Sequence, residues 1–270
     1  MKKPYKNIAK QFVPQSFADF QEESALFLSS QRLSQFRESP LLYHKTMLGE
    51  VESSQRPAYL IGNALHKLVL EGRRAFEDSF VVGGPINPKT GQVYGSNTKA
   101  FQAWAARQGK TVLTEAQAKL VEQLSQSLKV HSFVEQLLDD GVAEGVLRAD
   151  YCNLPCQVRV DWFSRDFGIV DLKTCNDLSW FETDARSFGY LHQMAFYRAV
   201  IAARTQVEVP VYLVAVEKKE PYRCGVWQLT PDILDTCQRE NEEAMERLLR
   251  CSETGVWPTG YESVREFDYV

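Results

Sequence analysis

Long hydrophobic runs are missing from this sequence of 270 residues, and their absence narrows its class. No stretch reaches the roughly 18 consecutive apolar residues that a membrane-spanning helix needs, so none is expected. The opening residues, MKKPYKNIAK, also lack the apolar segment of a secretory signal. These two absences predict a cytoplasmic protein with no membrane partner.

Closely spaced cysteine pairs are missing as well. The chain has six cysteines, but Cys152 and Cys156 are four apart, the others are scattered, and no CxxC pair occurs. This spacing supports neither a zinc site nor an iron–sulfur cluster. Without a secretory signal, the six thiols are expected to be reduced.

An excess of positive charge is the third absence. The sequence has 31 Lys and Arg against 35 Asp and Glu, a formal net charge of −4. The molecule therefore has no overall basic field that would attract nucleic acid, and any binding to a polyanion must use a local patch. Internal repeats and low-complexity segments are also absent, while 44% hydrophobic residues suffice for one sizeable core or two modest ones.

The most informative stretch that is present runs over 157–174, QVRVDWFSRDFGIVDLKT. Two β-favouring runs flank a turn-prone centre, which predicts a β-hairpin. If the turn is centred on Asp166, the numbers of paired residues sum to 332, and Asp161 faces Asp171. Lys173 then lies on the same face as Asp171, because side chains on a strand alternate with period two.

Opposed carboxylates at about 5 Å repel each other. A divalent cation held by oxygen ligands would offset that repulsion. The alternative is a solvated strand face, where carboxylates and lysines are common. The apolar residues around Asp171 and Lys173 predict a half-buried strand, and burying unpaired charges is costly. Either these charges serve a site, or the face is more exposed to water than the pattern indicates.

Elsewhere the patterns predict a single domain of mixed α/β class, with a central mixed sheet flanked by helices. Residues 1–20 are expected to be a flexible arm that is either solvated or in contact with phosphates. A mainly helical part follows over 21–140, and the sheet core with the hairpin and a C-terminal helix over 141–270. His66 lies near the edge of the apolar face of the helix predicted over 59–72. From its position alone it is either a core histidine or a ligand.

Several element bounds follow from caps and periodicity. Thr114 and Gln117 match a capping box that begins a helix, and Thr230-Pro231 begins another. The predicted helices include 22–38, 188–204 and 231–251, and the predicted strands include 142–147, 149–154, 210–217 and 224–229. Gln193 and Tyr197 share one face of the helix over 188–204.

With a helix-borne histidine, strand carboxylates, Asp171-Leu172-Lys173 and the Gln193/Tyr197 helix in this order, the chain resembles the PD-(D/E)XK nucleases. It is most similar to the branch that contains the RecB nuclease domain and the RecE (exonuclease VIII) enzymes. The motifs that carry the resemblance are GNALH (62–66), VRVD (158–161), VDLKT (170–174) and QMAFY (193–197). SQFRESPLLYH (34–44), INPKTG (86–91) and AVEKKEPY (215–222) extend it over most of the chain. Asp171 stands where many relatives have Glu, and Asp is the form familiar from the RecB-like branch.

The resemblance implies a restriction-endonuclease-like core and a role for each matching residue. It makes His66, Asp161, Asp171 and the main-chain carbonyl of Leu172 the ligands of Mg²⁺, with Mn²⁺ an alternative. Lys173 would orient the attacking water, or simply pair with Asp171. Glu144 would bind a second ion or order the water shell, or it is a solvated strand carboxylate. Gln193 and Tyr197 would brace the site or contact DNA, although helix packing alone would explain Tyr197.

The resemblance also implies an activity. RecE-like enzymes are ring-forming exonucleases that digest the 5′-ended strand of linear duplex DNA and leave a 3′ overhang for a single-strand annealing partner. A homo-oligomeric ring, a trimer or tetramer, that is acidic outside and basic within would reconcile the net charge with DNA binding. Candidate phosphate contacts, each otherwise a surface cation, are Arg32, Arg37, Lys45 and Arg159. The competing hypotheses are a DNA-binding protein that has kept the nuclease fold without cutting, and a structure-selective endonuclease.

Overall fold

The computed structural model describes residues 4–15, 17–23, 26–51 and 59–266, without the side chains of 17, 18 and 59. In these ranges the helices are α1 Lys6–Ala9, α2 Phe17–Glu22, α3 Ser30–Glu38, α4 Pro40–Met47, α5 Tyr59–Leu70, α6 Arg73–Ser79, α7 Lys99–Ala105, α8 Glu115–Val130, α9 Ser132–Leu138, α10 Phe181–Ser187, α11 Tyr190–Thr205 and α12 Pro231–Thr254. A 3₁₀ turn covers Leu178–Trp180. The strands are β1 Val13–Pro14, β2 Phe80–Val82, β3 Thr111–Leu113, β4 Gly141–Tyr151, β5 Leu154–Ser164, β6 Gly168–Cys175, β7 Val211–Glu217 and β8 Cys224–Gln228.

A six-stranded mixed sheet in the order β1-β4-β5-β6-β7-β8 is the centre of the fold. Among its described strands only β6 and β7 run parallel, and the other neighbours are antiparallel. A parallel pair needs a long crossover connection, which α10 and α11 provide. β2 and β3 form a separate parallel pair. The predicted mixed α/β fold with a central sheet is confirmed.

Helices cover both faces of this sheet. Apolar residues of α3, α11 and α12, among them Phe36, Phe196 and Met245, pack against one face. Residues of α5, α8 and α9, among them Leu65, Leu124 and Leu137, pack against the other. Every residue of β7 is buried, as expected for a strand covered on both sides. The site strand β6 is its neighbour and is equally enclosed over most of its length.

Residues 4–15 of the N-terminal segment pack against the sheet, whereas the lysines of the segment predicted a flexible arm. Ile8 and Phe12 are four apart, and both are buried. The ring of Phe12 lies 4.6 Å from that of Phe163, and Val13 pairs with Val146 at the edge of the sheet. The lysines of this segment dominated the sequence pattern, but the apolar residues between them determine where it packs.

Two segments are divided differently from expectation. The helix predicted over 22–38 is interrupted, and α3 begins after the N-cap Ser29, whose side chain accepts the Arg32 N–H. The two strands predicted over 142–154 are one strand, β4, followed by a turn at Cys152 and Asn153, both in the left-handed region. The strand continues through Arg148, whose guanidinium is paired with Glu23.

The other caps are confirmed. Thr114 and Gln117 form the predicted capping box at the start of α8. Thr230 caps α12 with Pro231 at the first helical position, although α12 extends to Thr254, three residues beyond its predicted end. All six cysteines are free thiols. Among the helices in the described ranges, none has the length and apolar character that crossing a bilayer requires.

Candidate metal centre

The hairpin of β5 and β6 has the predicted register. Trp162 pairs with Val170 and Ser164 with Gly168. In the described residues the ladder between the two strands stops there, one pair short of Asp161 and Asp171. Asp161 Oδ2 instead accepts the Leu172 N–H at 2.9 Å. Beyond that point β5 remains paired with β4, and β6 with β7, so the sheet opens where the predicted carboxylates lie.

Helix α5 brings His66 to this opening. Gly62 and His66 are four apart on one side of the helix, and a Cβ at Gly62 would lie 3.7 Å from Thr174 Oγ1, so α5 passes close to β6. His66 Nε2 lies 2.6 Å from the carbonyl oxygen of Leu172. His66 Nδ1 lies 3.7 Å from Asp161 Oδ2. The imidazole therefore points to the strand opening, with polar partners on both ring nitrogens.

Glu144 reaches the same place from β4. Its φ of 51° is in the left-handed region, unusual for a residue within a strand. One ligand atom each from His66, Glu144 and Asp161 lie within 4.8 Å of one another. Burial, and then the Asp161 carboxylate, raise the pKa of Glu144 to about 7, although Arg159 lowers it. The crowding of two carboxylates in a half-buried place is an electrostatic cost that a bound cation would remove.

Asp171 and Lys173 form a buried ion pair beside this cluster. The Asp171 side chain is only 1% exposed, and Lys173 Nζ lies 2.5 Å from its Oδ2. Neither Asp171 oxygen has a partner in hydrogen-bonding geometry among the described residues. Burial raises the pKa of Asp171, and the Lys173 ammonium opposes that rise. Burial lowers the pKa of Lys173, but the carboxylates of Asp171 and Asp161 outweigh it, so Lys173 stays protonated.

Side chains of α11 surround the Lys173 ammonium. Gln193 Oε1 lies 3.5 Å from Nζ, and Gln193 Nε2 donates to the Tyr197 hydroxyl at 3.1 Å. Burial raises the pKa of Tyr197 to about 12, so it is a neutral phenol. The ring centroid of Tyr190 lies 4.7 Å from Nζ. Tyr190 was not singled out from the sequence, although its place three residues before Gln193, on the same helix face, was a usable signal.

The four arginines and lysines considered as phosphate contacts lie on different elements. Arg159 on β5 directs Nε to Glu144 Oε2 at 3.1 Å, within the candidate site. Arg37 on α3 lies 2.7 Å from His192 Nε2 and also contacts Glu240. Arg32, also on α3, lies 3.5 Å from the Phe27 carbonyl oxygen, and Lys45 is exposed on α4.

The donor set fits a divalent cation. Carboxylate and carbonyl oxygens with one imidazole nitrogen suit Mg²⁺ or Mn²⁺. The buried Asp171 oxygens without hydrogen-bond partners are acceptors that such an ion could use. Asp171 lies outside the three-residue cluster, whereas Glu144 lies within it.

Comparisons with known proteins bear on the family and the fold. Residues 29–267 match the model of a family described as a PDDEXK-like domain of unknown function, DUF3799. The crystal structure of a candidate exonuclease from Eubacterium rectale is similar with a TM-score of 0.67, at 15% identity, over 96% of this chain and 97% of that one. An alkaline exonuclease from Laribacter hongkongensis, at 11% identity over 88% and 95% of the two chains, has a TM-score of 0.35, too low to add support.

A search of curated proteins gives no match to this sequence. The family match covers most of the chain. The resemblance drawn from the sequence is confirmed at the level of fold. The chain belongs to the PDDEXK-like family DUF3799 and has a nuclease fold of the PD-(D/E)XK type.

Proposed function

We propose that this protein is a metal-dependent exodeoxyribonuclease that hydrolyses linear double-stranded DNA from its 5′ ends and leaves 3′ overhangs. The observation that carries the proposal is the convergence of His66, Glu144 and Asp161 beside the buried Asp171–Lys173 pair. A protein that only bound DNA would not need this arrangement, because carboxylates crowded together away from water destabilise the fold.

The proposed Mg²⁺ or Mn²⁺ ligands are His66, Asp161, Asp171 and the Leu172 carbonyl, with Glu144 completing the set or binding a second ion. When bound, the ion stabilises the negative charge that develops on the phosphate and lowers the pKa of a coordinated water. The chain supplies the positioning. Asp161 is fixed by the Leu172 N–H, and His66 is oriented by the Leu172 carbonyl.

Lys173 is the proposed group that orients the attacking water and faces the developing charge. Its protonated state fits an electrostatic role better than that of a general base. Gln193 contacts Nζ and is itself hydrogen-bonded to Tyr197, so these two residues are proposed to fix the position of the ammonium. The proposed role of Arg159 is to hold Glu144 in place rather than to bind a DNA phosphate.

The direction of digestion, the ring-shaped homo-oligomer and the annealing partner rest on the resemblance to RecE-like enzymes. A ring that encloses duplex DNA would also allow a chain with a net charge of −4 to concentrate its cations on an inner surface. Arg32, Arg37 and Lys45, on the adjacent helices α3 and α4, are the proposed candidates for that surface.

The test is digestion of one plasmid in two forms, closed circular and linear, with Mg²⁺ and with EDTA. The linear form carries a label at the 5′ end in one sample and at the 3′ end in another. Early metal-dependent release of the 5′ label, with the circle intact, is expected. Cleavage of the circle would indicate an endonuclease, and binding without cleavage under Mg²⁺ or Mn²⁺ would contradict the proposal.

A further inference from the structure

Two large aromatic side chains are exposed at the two ends of α10. Trp180, directly before the helix, is 64% exposed, and Phe188, directly after it, is 62% exposed. Single exposed apolar residues are common and need no explanation. Phe188 differs from Trp180 because its ring contacts Tyr190, whose ring contacts Lys173.

Phe188 is connected to the candidate metal centre through one ring. Its centroid lies 5.9 Å from that of Tyr190, and the Tyr190 ring lies 4.7 Å from Lys173 Nζ. Gly189, between the two aromatic residues, has a φ of 72°. This left-handed turn ends α10 and begins α11, so Phe188 and Tyr190 lie side by side where α11 begins.

We infer that Phe188 and Tyr190 form a stacking platform for a base of the DNA strand whose phosphate is held at the metal centre. The inference rests on the proposed function and names the groups that bind the nucleotide beside the reacting one. An aromatic face binds any base, so the platform suits an enzyme that digests DNA regardless of sequence.

Distance and chemistry both favour a base as the occupant. Stacked bases are spaced by about 3.4 Å. The Phe188 ring contacts Tyr190, which in turn contacts Lys173, so Phe188 is within reach of the first bases beyond a phosphate held beside Lys173. Only an unpaired or frayed base exposes its face to a side chain. A platform beside Lys173 therefore favours strand ends over the interior of a duplex.

Tyr190 also has its own electrostatic partner. A ring over an ammonium is attracted to it by the ring quadrupole, so Lys173 helps to orient Tyr190. Phe188 has no polar group and is exposed to solvent, so its ring offers the apolar face on which a base would stack.

The experiment measures binding of a fluorescent single-stranded oligonucleotide to the full chain in EDTA, where no cleavage occurs. The variants are Phe188→Ala, Phe188→Trp and the matched control Trp180→Ala. A second oligonucleotide carries abasic sites at its 5′-terminal positions. Because stacking on one base changes affinity by about tenfold, Phe188→Ala should raise Kd about tenfold for the normal oligonucleotide. It should have little effect on the abasic one.

Phe188→Trp should bind like the parent protein, and Trp180→Ala should change Kd less than twofold. An equal effect of Phe188→Ala on both oligonucleotides, or no effect on either, would overturn the inference. A second copy of the chain is the competing occupant, and a loss of oligomer mass in light scattering with unchanged Kd would identify it. Failure of the parent protein to cleave DNA would instead refute the proposed function, because this binding assay does not depend on cleavage.

Discussion

Replacing Lys173 with methionine tests the buried ion pair and the proposed chemistry together. Methionine has a similar length but carries no charge, so Lys173→Met leaves Asp171 as a buried carboxylate without its ammonium. The Asp171 side chain is only 1% exposed and cannot recover its hydration. Removing one partner of a buried pair typically costs about 3–5 kcal/mol.

Asp171 can escape part of that cost by binding a proton, because burial already raises its pKa. We therefore expect Lys173→Met to lower the free energy of unfolding by about 3 kcal/mol at pH 8, the lower end of that range. The total stability of a folded protein is on the order of 5–15 kcal/mol. A raised folded-state pKa makes the carboxylate destabilising above its unfolded pKa. The loss should thus shrink as the pH falls towards 6.

The assay is urea unfolding in EDTA, with Lys219→Met as the control. Lys219 pairs with Asp177 on the surface, where such pairs contribute about 0.2–1 kcal/mol. The double variant Lys173→Met/Asp171→Asn removes both charges and should be more stable than Lys173→Met alone. A loss below about 1 kcal/mol for Lys173→Met, or no recovery in the double variant, would contradict a stabilising role of the buried Asp171–Lys173 pair. Cleavage of DNA at the parent rate by Lys173→Met would refute its proposed role.

Three further predictions concern other residues. His66→Ala should raise the Mg²⁺ concentration needed for half-maximal cleavage at least about tenfold; an unchanged metal titration would remove His66 from the ligand set. Glu217 is fully buried and accepts two hydrogen bonds of 2.8 Å from Arg223, so Glu217→Gln should lower the free energy of unfolding by about 2 kcal/mol. These bonds hold the Glu217 pKa at about 2, below its ordinary 4.5. The difference in free energy of unfolding between parent and variant should therefore be complete above pH 4.5 and fade as the pH falls towards 2. A difference that does not change with pH would contradict this. Gly168→Ala should cost about 1–3 kcal/mol, because φ is 91° and the new Cβ would lie 2.6 Å from the Pro210 carbonyl oxygen; an unchanged melting temperature would contradict it.

The strand pattern was sufficient to predict the hairpin, because alternation and a turn-prone centre fix its register. Trp162 and Val170 pair as the sum of 332 requires. The pattern could not predict that the ladder ends at this pair, since that depends on Asp161 accepting the Leu172 N–H. Local periodicity contains no information about such a competition between a side chain and a neighbouring strand.

The role of His66 could not be predicted from its position in the sequence alone. Its place on the helix left core and ligand readings open, and only the approach of α5 to β6 placed it against Leu172. Glu144 was ambiguous for the same reason, because its left-handed backbone cannot be read from residue type. Arg159 was a candidate phosphate contact, and its ion pair with Glu144 on the neighbouring strand could not be predicted from its charge alone.

An anomalous difference map from a crystal of the protein soaked in Mn²⁺ tests the proposed metal site directly. The proposed ligand set predicts one strong peak in the opening between β5 and β6, about 2.0–2.6 Å from ligand atoms of His66 and Asp161. Bonds from the same ion to Asp171 and the Leu172 carbonyl would complete the proposed set. No peak in that opening at millimolar Mn²⁺, or a peak bound only elsewhere, would contradict the assignment of a metal-dependent nuclease site.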